Sequence, residues 1–371
     1  MGTKKITRLN QSRLFTTIVL ILAGFGFFVF LSASLGLAGN DFSSFIKVGL
    51  KQFIILLIGL LVMLITSNIP YKIWRQYSLP LFILSVFVTL LVFVPQLGIS
   101  AGGAKRWLAL GGLSFQPSEI LKIGVILYYG AWLAKIKHKV DTLKYGLMPL
   151  VIIISILGLT LLTQPDTDTF LVIVIALLAM FLVGGGRWKH LAIICLVGAI
   201  LLAGLIAYKP YLKDRFITFL DPTQNTLGTS YQINQSLIAI GSGGITGRGF
   251  GQSLQKFSFL PEPNGDSIFS VAAEEFGFIG SIIILILFLL FSIIGLKIAS
   301  SAKEPFGRLI VTGLVIMIIS QSFINISSMM GLIPISGITL VFISQGGSSL
   351  LFSLLAIGII LNVSKGHNKS I

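Results

Sequence analysis

The residue best placed to do chemistry is Asp266, the last of the turn-forming hexamer Pro261-Glu262-Pro263-Asn264-Gly265-Asp266. It closes a polar interval, Thr229 to Gly280, and opens an apolar run. A carboxylate at such a boundary is costly to keep, and loss of water raises its proton affinity into the range of a general base. The competing reading is an N-cap for the helix that follows, since Asp is a good one. Glu274 and Glu275 lie two turns further on and require polar partners, and Gly277 and Gly280 point to close helix packing there.

Four more constellations carry ionisable groups. Arg106-Trp107 precedes Gln116-Pro117-Ser118-Glu119, with Lys122 three residues after the glutamate. Pro117 suits a first helical turn, and Glu119 and Lys122 share one face, either as a cap with an interfacial ion pair or as the wall of a cavity. Gln164-Pro165-Asp166-Thr167-Asp168-Thr169 holds two carboxylates, read as a cap through Thr167 or Asp168, or as a weak divalent-cation site. The glycine-rich Gly241–Gly251 stretch, with Lys256 after it, can cradle an anion on its amides or simply turn tightly, and it lacks the pattern of a P-loop. Arg106, Arg215, Arg248 and Lys256 put cations near these acids, suited to a diphosphate or to lipid head groups. The stretch Gly331–Ser349, with Ser344 inside it, reads as a broken re-entry into the last apolar run.

The elements that must hold these groups are apolar helices. The chain has 371 residues, 55% hydrophobic and only 11% charged, with mean hydropathy +0.97. A soluble domain carries roughly 25% charge, so a polytopic all-α membrane protein is expected. The net charge of +15 is scattered singly through short loops; it reads as positive-inside bias and contact with membrane lipids, not as a nucleic-acid surface. With Cys195 alone, neither a disulfide framework nor a thiolate metal site is available. No cleavable leader pattern is evident, and the first run is expected to stay as an anchor.

Ten apolar runs of near-spanning length are expected: 14–35, 48–69, 78–98, 120–134, 147–162, 169–184, 190–208, 268–296, 309–330 and 341–363. A cytoplasmic N-terminus (1–13) puts about 17 of the 27 basic residues inside, returns the C-terminus (364–371) to the cytoplasm, and leaves 209–267 as a large extracytoplasmic loop of one transmembrane domain. Parts of that loop are expected to re-enter the membrane. The unusual polar segments then all face outward, away from ATP.

In order, the chain carries Arg106-Trp107 with FQPSE-x-x-K, QPD-x-x-T, YQ-x-x-QSL-x-AI-x-x-GG, LPEP-x-x-D-x-IF-x-x-x-AEE-x-GF-x-G, and G-x-x-P-x-x-G…F-x-S-x-GGSS. The set resembles the SEDS family (shape, elongation, division and sporulation), which holds the FtsW, RodA and SpoVE proteins, over nearly the whole chain. The resemblance implies a ten-helix membrane glycosyltransferase that polymerises lipid II into peptidoglycan strands at the outer face of the bacterial cytoplasmic membrane. It implies a class B penicillin-binding protein as partner, with other divisome proteins at the septum. It makes Asp266 the catalytic residue. Glu119 and Lys122 line the same cavity, with Arg106, Gln116, Ser118, Asp166, Arg215, Lys256, Glu262 and Ser344 as further substrate-binding candidates. No cofactor is required; a divalent cation, magnesium or manganese, is compatible with Asp166 and Asp266. The motifs look more similar to FtsW (division) than to RodA (elongation).

The chain departs from the family at several places. Asn264-Gly265 stands for His-Thr, Asp168 for a glycine, Val341 for a proline and Gln345 for a tyrosine. A lipid-precursor flippase or transporter is the rival reading, since broken helices and buried charges suit both. A scaffold role for the basic ends is compatible with either.

Overall fold

The computed structural model describes residues 2–38, 42–101, 104–110, 113–222, 230–257 and 259–366. Among them the chain runs α1 (Gly2–Ala38), α2 (Phe42–Asn68), α3 (Tyr71–Gln76) and α4 (Ser78–Leu90). A small sheet follows: β1 (Gly98–Ala101), β2 (Ala104–Leu110) and β3 (Leu113–Phe115). Then come α5 (Pro117–Ile136), α6 (Met148–Leu161), α7 (Thr167–Val183), α8 (Trp188–Tyr208), α9 (Pro210–Leu220) and α10 (Tyr231–Ser242). The chain closes with α11 (Ile268–Ser301), α12 (Pro305–Met329) and α13 (Gly347–Lys365).

Each expected apolar run overlaps a helix, and among the described residues 7 helices are long and apolar enough to cross a membrane. Ser78–Phe93 and Thr167–Val183 are shorter apolar helices. In a bilayer a helix closes its own backbone hydrogen bonds, which is why long apolar runs favour this form. Burial then sorts them. Helices α12 and α13 bury most of their central windows, whereas α8 buries none of its own. The bundle packs α2 on α13, α4 on α5, α7 on α12 and α1 on α11. Lipid tails are as apolar as leucine, so close approach drives this packing. At Gly358 of α13 any larger side chain would collide with Thr66 of α2.

Three features were not expected. The first is the antiparallel sheet, ordered β1-β2-β3, with Leu108 opposite both Gly98 and Phe115. The second is the start of the last helix. The run from Val341 does not begin a helix; α13 starts at Gly347, and Ile338, Leu340, Val341, Phe342 and Ile343 are buried in an irregular connection. Its backbone is satisfied without a helix: the Leu340 amide donates to Ser344 Oγ (2.8 Å) and the Gln345 amide to the Asn264 carbonyl (2.7 Å). The third concerns the caps. Neither Asp266 nor Asp168 is one: α11 is preceded by Ser267 and α7 by Asp166, and neither forms a side-chain cap bond. Pro117 does open α5, as its fixed backbone favours.

Candidate active site

The main chain around Asp266 is fixed from three elements. Glu262 adopts a left-handed backbone (φ 47°), and its carbonyl accepts from the amides of Gly265 (3.0 Å) and Ser267 (3.2 Å). Gln232 Nε2 of α10 donates to Ser267 Oγ at 3.1 Å. Asn325 Nδ2 of α12 donates to the carbonyls of Asp266 (2.7 Å) and Ile338 (2.8 Å). The turn carrying Asp266 is thereby tied to the connection between α12 and α13.

Gly337, in that connection, marks where the charged side chains converge. A methyl group on its α-carbon would lie 3.6 Å from Asp266 Oδ2, 3.6 Å from Arg215 Nη2 and 4.0 Å from Arg106 Nη1. Asp168 Oδ2 accepts from both Arg215 Nη1 and the Gly337 amide, each at 3.0 Å. Arg106, on β2, is aimed by the loop before α7: Nε donates to the Gln164 carbonyl at 3.3 Å and Nη2 to that of Pro165. One carboxylate and two guanidinium groups thus face a space floored by a residue with no side chain.

Electrostatics set the state of that carboxylate. Exclusion of water, then the Glu262 and Asp168 carboxylates, push Asp266 up to about 7, against the pull of Arg215 and Arg106. A carboxyl group poised near neutrality beside fixed cations can accept a proton from a hydroxyl and release it again.

A second polar seam approaches the same connection. Lys122 Nζ lies 2.8 Å from Glu119 Oε2, the pair predicted by spacing, and donates to Gln321 Oε1 at 2.7 Å. Gln321 Nε2 in turn donates to the Thr339 carbonyl at 3.1 Å, two residues from Gly337. The Gln116 amide donates to Ser348 Oγ (3.1 Å), and its side chain reaches Asp166 Oδ2 (3.5 Å). Ser118 Oγ is buried without a partner.

Other candidates sit elsewhere. Lys256 is fully buried and held by Glu275 Oε1 (2.7 Å), the Gly251 carbonyl (2.8 Å) and Ser32 Oγ (3.1 Å). It neutralises α11 and does not turn toward Asp266. Ser344 caps its own turn through Leu340, while its carbonyl accepts from Gln52 at 3.4 Å. Glu262 is exposed and acts on Asp266 by charge. Arg248 lies 3.5 Å from Glu274 Oε1, away from the cluster.

The glycine-rich stretch has a structural task, which supports its reading as a tight turn. Gly277 (φ 65°) breaks α11, which releases backbone groups on both sides of the break. The amides of Arg248 and Gly249 donate to the carbonyls of Glu274 (3.0 Å) and Glu275 (2.9 Å). In return the amides of Phe278 and Ile279 donate to the carbonyls of Gly244 (2.9 Å) and Ile245 (3.1 Å). These loop amides are spent on the helix.

Among the described residues no three His, Cys, Asp or Glu side chains group to hold a metal ion. Asp166 is engaged by Gln116, and Asp168 by Arg215 and Gly337. Among the described residues, then, no cluster of three such side chains is offered to a divalent cation.

The sequence profile of a family described as "Cell cycle protein" (FtsW, RodA, SpoVE) matches residues 12–369. This chain belongs to the FtsW/RodA/SpoVE family. Stage V sporulation protein E of Bacillus subtilis is 37% identical over 365 residues, covering 98% of this chain and 99% of its own. A probable peptidoglycan glycosyltransferase FtsW of Geobacter sulfurreducens is 35% identical, covering 98% and 97%. Among solved structures, a chain of a peptidoglycan synthase complex, in work on its coordination of polymerisation and crosslinking, superposes with a TM-score of 0.78. It is 28% identical and covers 96% of this chain and 98% of that one. RodA of Thermus thermophilus superposes at 0.69, with 26% identity and 96% and 97% coverage.

Sequence reasoning missed Asn325 and Gln321, held Gly337 only as one small residue of the re-entry motif, and weighed Asp168 as a cap or as half of a weak cation site. Asn325 and Gln321 had a signal: two amides four residues apart, on one face of an apolar run. Gly337 had none beyond its motif.

Proposed function

We propose that this chain is a peptidoglycan glycosyltransferase that polymerises lipid II into glycan strands, with Asp266 as its general base. The observation that carries the reading is the convergence on Gly337 of Asp266, Arg215 and Arg106. Asp266 takes the proton from the acceptor sugar's 4-hydroxyl as that oxygen attacks the donor's anomeric carbon. The new glycosidic bond forms with inversion as the bond to the undecaprenyl diphosphate breaks. Arg215 and Arg106 offset the charge that develops on the departing diphosphate. The proton leaves Asp266 for solvent before the next cycle. The Glu119–Lys122–Gln321 seam forms a wall of the same cavity. A divalent cation would enter with the diphosphate, as part of the substrate.

The topology that serves this chemistry has ten crossings, both termini in the cytoplasm and the residues 209–267 outside, where lipid II is displayed. Similarity to FtsW and SpoVE sequences favours a role at the division septum over elongation. A class B penicillin-binding protein as partner is supported by the kinship to a chain of a peptidoglycan synthase complex. Purified wild type and Asp266→Asn, each with lipid II and a cognate class B penicillin-binding protein, provide the test. Polymer from wild type alone is expected. Polymer from both removes Asp266 from the centre, and none from either returns the chain to the flippase reading.

A further inference from the structure

We propose that Asp168 is a positioning residue of the active site, holding the Arg215 guanidinium beside Asp266 so that it is in place before the diphosphate arrives. This rests on the glycosyltransferase reading above. A single oxygen, Oδ2, receives both the Arg215 Nη1 proton and the Gly337 amide proton at 3.0 Å, and so joins α7, α9 and the α12–α13 connection at one point. With Nη1 held, Nη2 faces the space over Gly337 that Asp266 Oδ2 also faces. An arginine side chain has many rotamers to lose, and a fixed partner removes that cost from substrate binding. The Arg215 side chain is 28% exposed and that of Asp168 15%, so the pair is sheltered yet reachable.

The same carboxylate bears on the proton held by Asp266. The charged groups that face Asp266 are Glu262 from its own turn, Asp168 from α7, Arg215 from α9 and Arg106 from β2. Tyr211 of α9 lies among them; burial raises its phenol, Thr167, Arg215 and Arg106 lower it, Asp168 adds a smaller upward push, and it stays neutral. Glu262 and Asp168 favour the protonated form of Asp266 and the two arginines oppose it. Removing the Asp168 charge leaves Arg215 uncompensated, and both changes lower the proton affinity of Asp266.

The test is steady-state polymerisation of lipid II by wild type, Asp168→Gly and Asp168→Asn, between about pH 5.5 and pH 9. A second, activity-free readout is the binding of undecaprenyl diphosphate to each purified protein. For Asp168→Gly, KM and the dissociation constant are expected to rise about fivefold, with kcat within about twofold of wild type. Asp168→Asn keeps an acceptor for the Gly337 amide but no charge, and its acid-limb midpoint is expected to fall by about half a pH unit. Wild-type KM, binding and midpoint in both variants overturn the proposal, as does a fall in kcat alone. If Asp168→Gly does not fold, the Asn variant decides. If wild type binds the diphosphate but makes no polymer, the glycosyltransferase reading fails, and the binding of the variants still judges Asp168.

Discussion

Asn325 and Asp266 are joined by a hydrogen bond that runs from a helix side chain to the main chain, not to the carboxylate. Asn325 Nδ2 donates at 2.7 Å to the Asp266 carbonyl and at 2.8 Å to that of Ile338, and the residue is fully buried. The carboxylate stays free for chemistry while its backbone is anchored to α12.

Asn325→Ala leaves the buried Ile338 carbonyl and the half-buried Asp266 carbonyl without this partner, at a cost of about 1–3 kcal/mol for the buried one. The variant is expected to melt lower in detergent and to polymerise more slowly at saturating lipid II. Thermal unfolding and kcat, measured on one preparation, check this; wild-type values for both would remove Asn325 from the support of the site.

Asp266 acts as a base only when ionised, so kcat/KM is expected to rise with pH through a midpoint at about 7. Asp266→Asn is expected to lose at least ~100-fold in rate at every pH. Its stability should move the other way. The folded protein holds the Asp266 proton to about 7, above its ordinary value of 3.8, so folding binds a proton between them and stability is lost as pH rises through that window. The Asn variant escapes that loss and is expected to melt higher than wild type at about pH 8. A pH–rate profile paired with melting curves tests both halves.

Gly337→Ala places a methyl group at ordinary contact distance, 3.6 Å, from Asp266 Oδ2 and Arg215 Nη2. The fold should tolerate it, since no atom need move. Substrate should not, because the methyl occupies the space the three charged groups share. Unchanged melting with reduced kcat/KM is expected, and a larger loss for Gly337→Val; undiminished activity in the valine variant would show that substrate passes elsewhere.

Lys256 and Glu275 form an ion pair with both side chains 0% exposed. Removing one partner strands a buried charge, at a cost of roughly 3–5 kcal/mol. Lys256→Met and Glu275→Leu should each unfold well below wild type. The double variant Lys256→Met/Glu275→Leu should be milder than the sum of its parts, because neither charge remains. Melting of the four proteins forms the cycle.

The helices were legible because an apolar run in a bilayer has one way to satisfy its backbone. The Glu119–Lys122 pair was legible because three residues is a local spacing. The Asp168–Arg215 pair and the Asp168–Gly337 bond span 47 and 169 positions, and no local rule brings them together. Asp168 therefore looked like a cap, the commonest role for an aspartate before a helix. The work of the glycine-rich stretch was hidden for another reason. It answers the break at Gly277, and a glycine inside an apolar run reads as continuous helix until its φ is known. The sheet was hidden because β2, Ala104–Leu110, shows only a few residues of weak alternation.

That break divides α11 into unequal parts. The segment before Gly277 is stitched through Glu274 and Glu275 to residues 244–256, by main-chain bonds as well as side chains. The helix beyond the break is tied to the same loop, because the amides of Phe278 and Ile279 donate to the carbonyls of Gly244 and Ile245. A single glycine thus opens a gap in the ladder of a membrane helix, and a polar loop fills that gap from both sides.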